Sequence, residues 1–267
     1  MSKINQAVRE IRTMDSMAAG DGWLNRIHPL VKLVLTIFYI AAVVSFDGYD
    51  VPGLLGMAVY PLLLFELGEV PFGDAIRRLR FVLPLVCAVG IFNPFFDRRP
   101  AGDFAGIAVT GGMLSMFTLM LKGIFTVLMS YLLIATTTIE KICYSLRLLH
   151  LPKLFVTQVL LSYRYITVLL AEADRMTQAY ALRAPGQRGI HCRVWGSLAG
   201  QLLLRAVDRA GELYESMCLR GYQGEFYYGS AQKLRAADAV FFAAGAGVIS
   251  VFRIVPVFVL VGELFVR

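Results

Sequence analysis

Leu30–Phe46 reads LVKLVLTIFYIAAVVSF, an apolar run whose one charge, Lys32, lies near its start. A helix needs about 20 mostly apolar residues to cross the hydrocarbon of a bilayer, and about 17 are enough. This run therefore reads as a first membrane span, with Lys32 close enough to the end to snorkel. Working outward, Val51–Leu67 follows after the short acidic link Asp47–Asp50. Phe81–Phe96 is a third span, interrupted by Pro84 and ending at Asn93-Pro94. Phe104–Ala135 is a longer apolar stretch containing only Lys122, and Ala239–Leu264 is the last, with Arg253 inside it. Composition agrees. Of the 267 residues, 57% are hydrophobic and 17% charged. Counted with glycine and without tyrosine the apolar share is roughly 61%, against about 45–50% in soluble domains. A soluble globule of this length has too little interior to hide such a chain. The expected fold class is an all-α membrane protein.

Charge placement sets the sidedness. The net charge of +7 is unevenly distributed. The stretch 136–238 carries half of the Lys and Arg, and the short loop Glu69–Arg80 adds Arg77, Arg78 and Arg80. The opposite loops hold Asp47 and Asp50, then Asp97, Arg98, Arg99 and Asp103, with no positive excess. Lysine and arginine accumulate on the cytoplasmic side. This places the N-terminus and 136–238 in the cytoplasm and the C-terminus outside, provided Phe104–Ala135 crosses once. Five spans satisfy every loop; a break at Lys122 would make six. The organisation is then a cytoplasmic segment 1–29, spans over 30–135, a cytoplasmic helical region 136–238 and a C-terminal span in 239–267. The first 27 residues include Arg9, Glu10, Arg12, Asp15, Asp21 and Arg26 without an apolar core, so no cleaved signal peptide is expected.

Several function classes are disfavoured. Cys87, Cys143, Cys192 and Cys218, like His28, His150 and His191, are too scattered for metal-ligand or disulfide spacing. No metal site, cofactor or catalytic cluster is expected. No phosphate-binding glycine loop with its lysine occurs, so the chain is not itself an ATPase. The basic charge reads as topology rather than as a nucleic-acid surface. Lys122 and Arg253 are charges at membrane depth, where function is the default hypothesis, but a helix break at Lys122 and an inward-facing Arg253, toward the protein interior or a polar cavity, are the favoured readings. Small residues at Gly102 and Gly106, and over Ala243–Gly247, would permit close helix contact. His28-Pro29 marks the start of the first span, with proline in the first helical turn.

The region 136–238 reads as three helices. Thr137 and Glu140 form a capping-box pattern for the first, which stops before Leu151-Pro152. The second starts near Pro152 and carries Val156, Val159, Leu160, Tyr163, Ile166, Leu170, Ala173 and Thr177 as an apolar stripe. It should end near Arg183, since Pro185 disfavours helix at Ala184. The third, about Val194–Arg220, repeats the pattern with Leu198, Leu202, Val207, Ala210, Tyr214 and Met217, and Gly221 stops it. Both long helices thus end alike, in Ala181-Leu182-Arg183-Ala184-Pro185-Gly186 and Cys218-Leu219-Arg220-Gly221-Tyr222. A cation in a last turn is ordinary helix-dipole chemistry. Its duplication suggests two plugs for a paired partner, because guanidinium makes several directed bonds to acidic or carbonyl groups.

In order and spacing the chain resembles the transmembrane T component of energy-coupling-factor (ECF) transporters, in the cobalt-transport CbiQ branch. The likeness rests on Met14-Asp15 with Ala18, Ile27-His28-Pro29-Leu30-Val31-Lys32-Leu33, Thr110-Gly111-Gly112, Leu132-Leu133 with Thr136-Thr137, Leu151-Pro152, Ser162-Tyr163-Arg164-Tyr165 and the two arginine motifs. The resemblance implies a non-catalytic, multi-pass subunit of a prokaryotic cell membrane. Its partners would be two cytoplasmic ABC ATPases, as a homo- or heterodimer, and a substrate-binding S component, CbiM-like for cobalt uptake toward cobalamin synthesis. Nickel or a vitamin are the alternative substrates. Arg183 with Gly186 and Arg220 with Gly221 would sit in grooves of the ATPases. The sequence departs from the family's Ala-Arg-Gly pattern, since Ala184-Pro185 separates Arg183 from Gly186 and Leu219 replaces the alanine. The competing classes are a self-contained ABC permease and a membrane-embedded enzyme.

Overall fold

The structure is a computed structural model that describes residues 3–92, 100–104, 107–183, 186, 189–224, 226 and 234–254. For residues 3–5, 7, 81, 100–104 and 107–110 it is the backbone that is described. The chain divides into two units, one of residues Met17–Thr138 with Gln232–Arg267, the other of Met1–Ser16 with Ile139–Ala231.

The first unit begins with a 3-10 turn, Leu24–Arg26, and α2, Pro29–Val44; α1, Lys3–Ala18, precedes them and lies mostly in the other unit. Pro29 opens α2 because a missing N–H costs nothing there, and the ring nitrogen Nδ1 of His28 accepts from the Leu30 amide at 3.2 Å. Val31, Leu35, Tyr39 and Val43 repeat every fourth residue and are buried, whereas Ile37, Phe38 and Val44 face outward. An apolar face turned outward is what a hydrocarbon solvent favours.

The second expected span is two helices, α3, Val51–Gly56, and α4, Val59–Leu67. The break frees the Met57 carbonyl, and the Tyr39 hydroxyl donates to it at 2.8 Å. Tyr39 also stacks on Tyr60, with ring centroids 5.4 Å apart.

The loop expected at Glu69–Arg80 is for the most part the beginning of α5, Phe72–Gly90. Asp74 favours the helix N-terminus, Phe72 packs edge-on against Phe65, and the Arg78 guanidinium lies 4.9 Å from the Tyr131 ring centroid. Pro84 is accommodated within this helix. The end expected at Asn93-Pro94 and Phe96 lies outside the described residues, as do Asp97, Arg98 and Arg99.

The stretch Phe104–Ala135 does not begin as helix. Pro100–Phe104 (β1) and Ile107–Thr110 (β2) pair as an antiparallel hairpin, in keeping with the β-branched residues of the second strand. From Gly111 to Thr136 runs one helix, α6, which passes Lys122 without a break. Apart from the hairpin the described elements are helical, and the all-α membrane class holds.

α6 packs against α2, α3, α4 and α5, and α10, Ala236–Ile254, closes the unit against α2. Gly245 of α10 makes this approach feasible: a Cβ there would stand 3.1 Å from both Leu35 Cδ1 and the Tyr60 hydroxyl. The small-residue patch Ala243–Gly247 therefore serves contacts within the chain at this position. Residues 255–264 of the expected last span lie outside the description.

In the other unit, α7 (Ile139–Leu148) packs on α8 (Lys153–Arg183), which meets α9 (Cys192–Leu219). The expected capping box is not formed: α7 starts at Ile139, and the Thr137 hydroxyl is buried without a hydrogen-bond partner among the described residues. Burial of Thr137 behind the end of α6 removes it from capping work. By length and composition α6, α8 and α10 could each cross a membrane, with α2 and the α3–α4 run as shorter apolar helices. α8 lies where no span was expected. It qualifies by its length and apolar composition; Leu154, Phe155 and Val168, outside the expected stripe, are exposed, and so is Ile166, which was expected within it.

Candidate functional site

Four charged side chains fasten α2 at its two ends. Lys32 does not snorkel: it is 5% exposed and its Nζ donates to the Thr136 carbonyl, at the end of α6, at 2.7 Å. Asp238 accepts the His28 amide on Oδ1 at 2.9 Å and the Arg235 amide on Oδ2 at 2.8 Å. His28 and Arg235 immediately precede α2 and α10, so one carboxylate caps both helices. At the other end, Lys122 donates to the Val44 and Phe46 carbonyls. Arg253 donates to the Ser45 carbonyl at 3.1 Å and lies 4.3 Å from the Phe46 ring centroid. Both cations meet the free carbonyls at a helix C-terminus, which carries partial negative charge. The two intramembrane charges thus have a structural role.

In the other unit, the Tyr163 hydroxyl of α8 donates to Asp15 Oδ1 of α1 at 2.6 Å. Glu172 of α8 pairs with Arg205 of α9, and also with Arg175 at 3.5 Å. The α9 residues that lean inward are Val194, Leu198, Leu202, Ala206, Leu213 and Met217, mostly four apart. Val207, Ala210 and Tyr214, expected in that stripe, are exposed, because a row stepping by four drifts off a stripe that mixes threes and fours. No α9 residue is fully buried.

Beyond the Glu172–Arg205 contact both helices continue to their C-termini. Arg183 is the last residue of α8 and Arg220 the C-cap of α9. The tips are 11 and 15 residues past the contact, roughly 17 and 23 Å of helix. At the α9 tip the Gly221 amide donates to the Cys218 carbonyl at 2.9 Å and the Tyr222 amide to the Met217 carbonyl at 3.0 Å. This is a Schellman termination, and it requires the left-handed backbone that Gly221 adopts at φ +81°. Gly186 also has positive φ, +99°. Ala184 and Pro185 lie outside the described residues.

The Arg183 and Arg220 side chains are exposed, and neither guanidinium has a hydrogen bond or ion pair among the described residues. The residue before each arginine is a leucine, a feature that sequence periodicity does not register. Leu219 is 90% and Leu182 84% exposed, the two highest values for large apolar side chains among the described residues. Among the described residues no three of His, Cys, Asp and Glu gather as metal ligands.

Residues 20–228 match the CbiQ family, described as cobalt transport protein. The chain belongs to the CbiQ family. The CbiQ match takes in both arginine tips and ends before α10. The chain is 30% identical to the cobalt transport protein CbiQ of Rhodobacter capsulatus, across 80% of this chain and 86% of that protein. It is 28% identical to the energy-coupling factor transporter transmembrane protein EcfT of Listeria innocua, across 77% and 82% respectively. The corresponding Bacillus subtilis EcfT is 25% identical, across 79% and 86%. Segments that carried the resemblance meet in pairs in this chain: Asp15 with Tyr163, and Lys32 with Thr136. The chain is a multi-pass membrane component of a transporter.

Proposed function

We propose that this chain is the T subunit of an ECF-type importer, coupling two cytoplasmic ABC ATPases to a membrane S component. The observation that carries the reading is the pair of exposed arginines, Arg183 and Arg220, at the tips of two helices joined through Glu172 and Arg205. Each tip docks in one ATPase, with Gly186 and Gly221 turning the chain away behind it. ATP binding draws the ATPases together, the tips follow, and α8 and α9 pass the motion toward the spans and the S component. The N-terminus and 136–238 face the cytoplasm, with the apolar side of α8 against the bilayer, and the C-terminus lies outside. ATP hydrolysis belongs to the partners.

Cobalt ion is the proposed cargo, held by a CbiM-like S component. The family description and the Rhodobacter capsulatus relative support it. The test is an Arg183→Glu, Arg220→Glu double variant. It should lose ATPase co-purification and ATP-driven cobalt uptake while the membrane unit stays folded; assembly and uptake at the unaltered level would refute the coupling role. Uptake of nickel or a vitamin instead of cobalt by the intact complex would replace the cargo and leave the coupling role standing.

A further inference from the structure

We infer that each tip is a two-part plug, in which Leu182 and Leu219 fill apolar pockets in the ATPase grooves while the adjacent arginine meets carboxylates or carbonyls at the rim. The inference rests on the coupling role proposed above and specifies the chemistry of the surface that receives the tips. Leu182 and Leu219 are 84% and 90% exposed, each in the last helical turn and each directly before the arginine. Successive side chains on a helix diverge by about 100°, so a leucine and the next arginine leave the tip in different directions and can engage two walls of one groove.

Lipid is the other solvent that would accept such leucines. The end of α9 argues against it, because Arg209, Glu212 and Glu215 are exposed over the preceding turns. Charges spaced in this way keep the tip out of hydrocarbon. Leu-Arg pairs also stand at 79–80, 146–147, 204–205 and 234–235, but among the described residues only the leucines of the two tips are more than 80% exposed. A receiving groove must then offer the same pair of features twice, which a dimer of similar ATPases does.

The division of labour has a distinct signature. Burial of a leucine is insensitive to salt, whereas contact of a guanidinium with acidic groups at an exposed rim is screened. Binding of the purified chain to its co-expressed ATPase pair should be measured across a salt titration. Leu182→Ser and Leu219→Ser should each weaken binding on the order of tenfold or more, with the salt dependence unchanged. Leu→Met at the same positions should restore affinity, and Arg183→Gln with Arg220→Gln should flatten the salt dependence. Serine variants that bind normally beside weakened arginine variants would overturn the two-part plug and leave the coupling role intact. If neither set changes binding, both readings fall. Loss of vesicle binding without ATPase, at unaltered ATPase affinity, would make lipid the occupant and also overturn the inference.

Discussion

The His28 amide donates to Asp238 Oδ1 at 2.9 Å across 210 residues of sequence. The bond ties the start of the first span to the start of α10, which lies beyond the segment that matches the family. Because the second oxygen takes the Arg235 amide, Asp238 is the cap of two helices at once.

Asp238→Ala should therefore cost more than an ordinary cap. A lost cap is worth about 0.5–2 kcal/mol, and the buried His28 amide left without an acceptor adds about 1–3 kcal/mol. Thermal unfolding of the purified protein in detergent should show a clear fall in Tm, with Asp238→Asn intermediate because one acceptor oxygen remains. An unchanged Tm in Asp238→Ala would remove the shared cap from the account.

Lys122 and Arg253 act on neighbouring carbonyls at the other end of α2. Lys122→Met and Arg253→Leu should each destabilise by about 1–2 kcal/mol. The double variant should lose more than the sum, because either cation alone still holds the helix end against its neighbours. A double-mutant cycle by chemical denaturation measures this, and coupling below about 0.3 kcal/mol would mean the two act independently.

Two glycines of α9 should respond with opposite sign. Gly221 has φ +81°, where an L side chain costs about 1–2 kcal/mol, so Gly221→Val should fray the tip. Amide exchange at Tyr222 should accelerate, and ATPase binding should weaken although Arg220 is intact. Gly211 lies inside the helix with open space where a Cβ would go, so Gly211→Ala should stabilise by about 0.5–1 kcal/mol. Equal responses at both sites would contradict this backbone assignment.

Cysteine labelling reports on docking without any substitution. Cys192 and Cys218 are exposed, whereas Cys143 is buried. Burial, and then the nearby Glu140 charge, pushes the Cys143 thiol above its ordinary value. The thiolate is the reactive form, so Cys143 should label slowly near neutral pH and faster as pH rises. In the free chain Cys192 and Cys218 should label readily with maleimide. On assembly with the ATPases Cys218, two residues before Arg220, should become protected; continued rapid labelling there would argue that the α9 tip is not covered.

The parts of this structure governed by local sequence were readable in advance. Pro29 opens α2, Arg183 closes α8, and Gly221 turns the chain after α9, because proline fixes φ and glycine readily takes the left-handed backbone wherever they occur. The break at Met57 was passed over, although the sequence carries a signal for it. Its signal was Pro61, which has no N–H to offer the Met57 carbonyl four residues earlier, and that carbonyl is satisfied instead by Tyr39, 18 residues away. The pattern of Thr137 and Glu140 looked like a cap, but burial of the threonine prevailed over local hydrogen bonding. Lys32 looked like a snorkelling side chain because its partner, the Thr136 carbonyl, is 104 residues distant. At the helix tips the arginines stood out by repetition, while the leucines beside them became visible only through their exposure.

The contact between Glu172 and Arg205 divides α8 and α9 into unequal lengths, with 11 residues beyond it to Arg183 and 15 to Arg220. Treated as a fulcrum, it gives the Arg220 lever about a third more travel than the Arg183 lever for the same angular change. A symmetric ATPase dimer closing on this chain would thus pull on two levers of different mechanical advantage. Force delivered equally at the tips would produce unequal torque, and the two ATPases would not be interchangeable in the stroke.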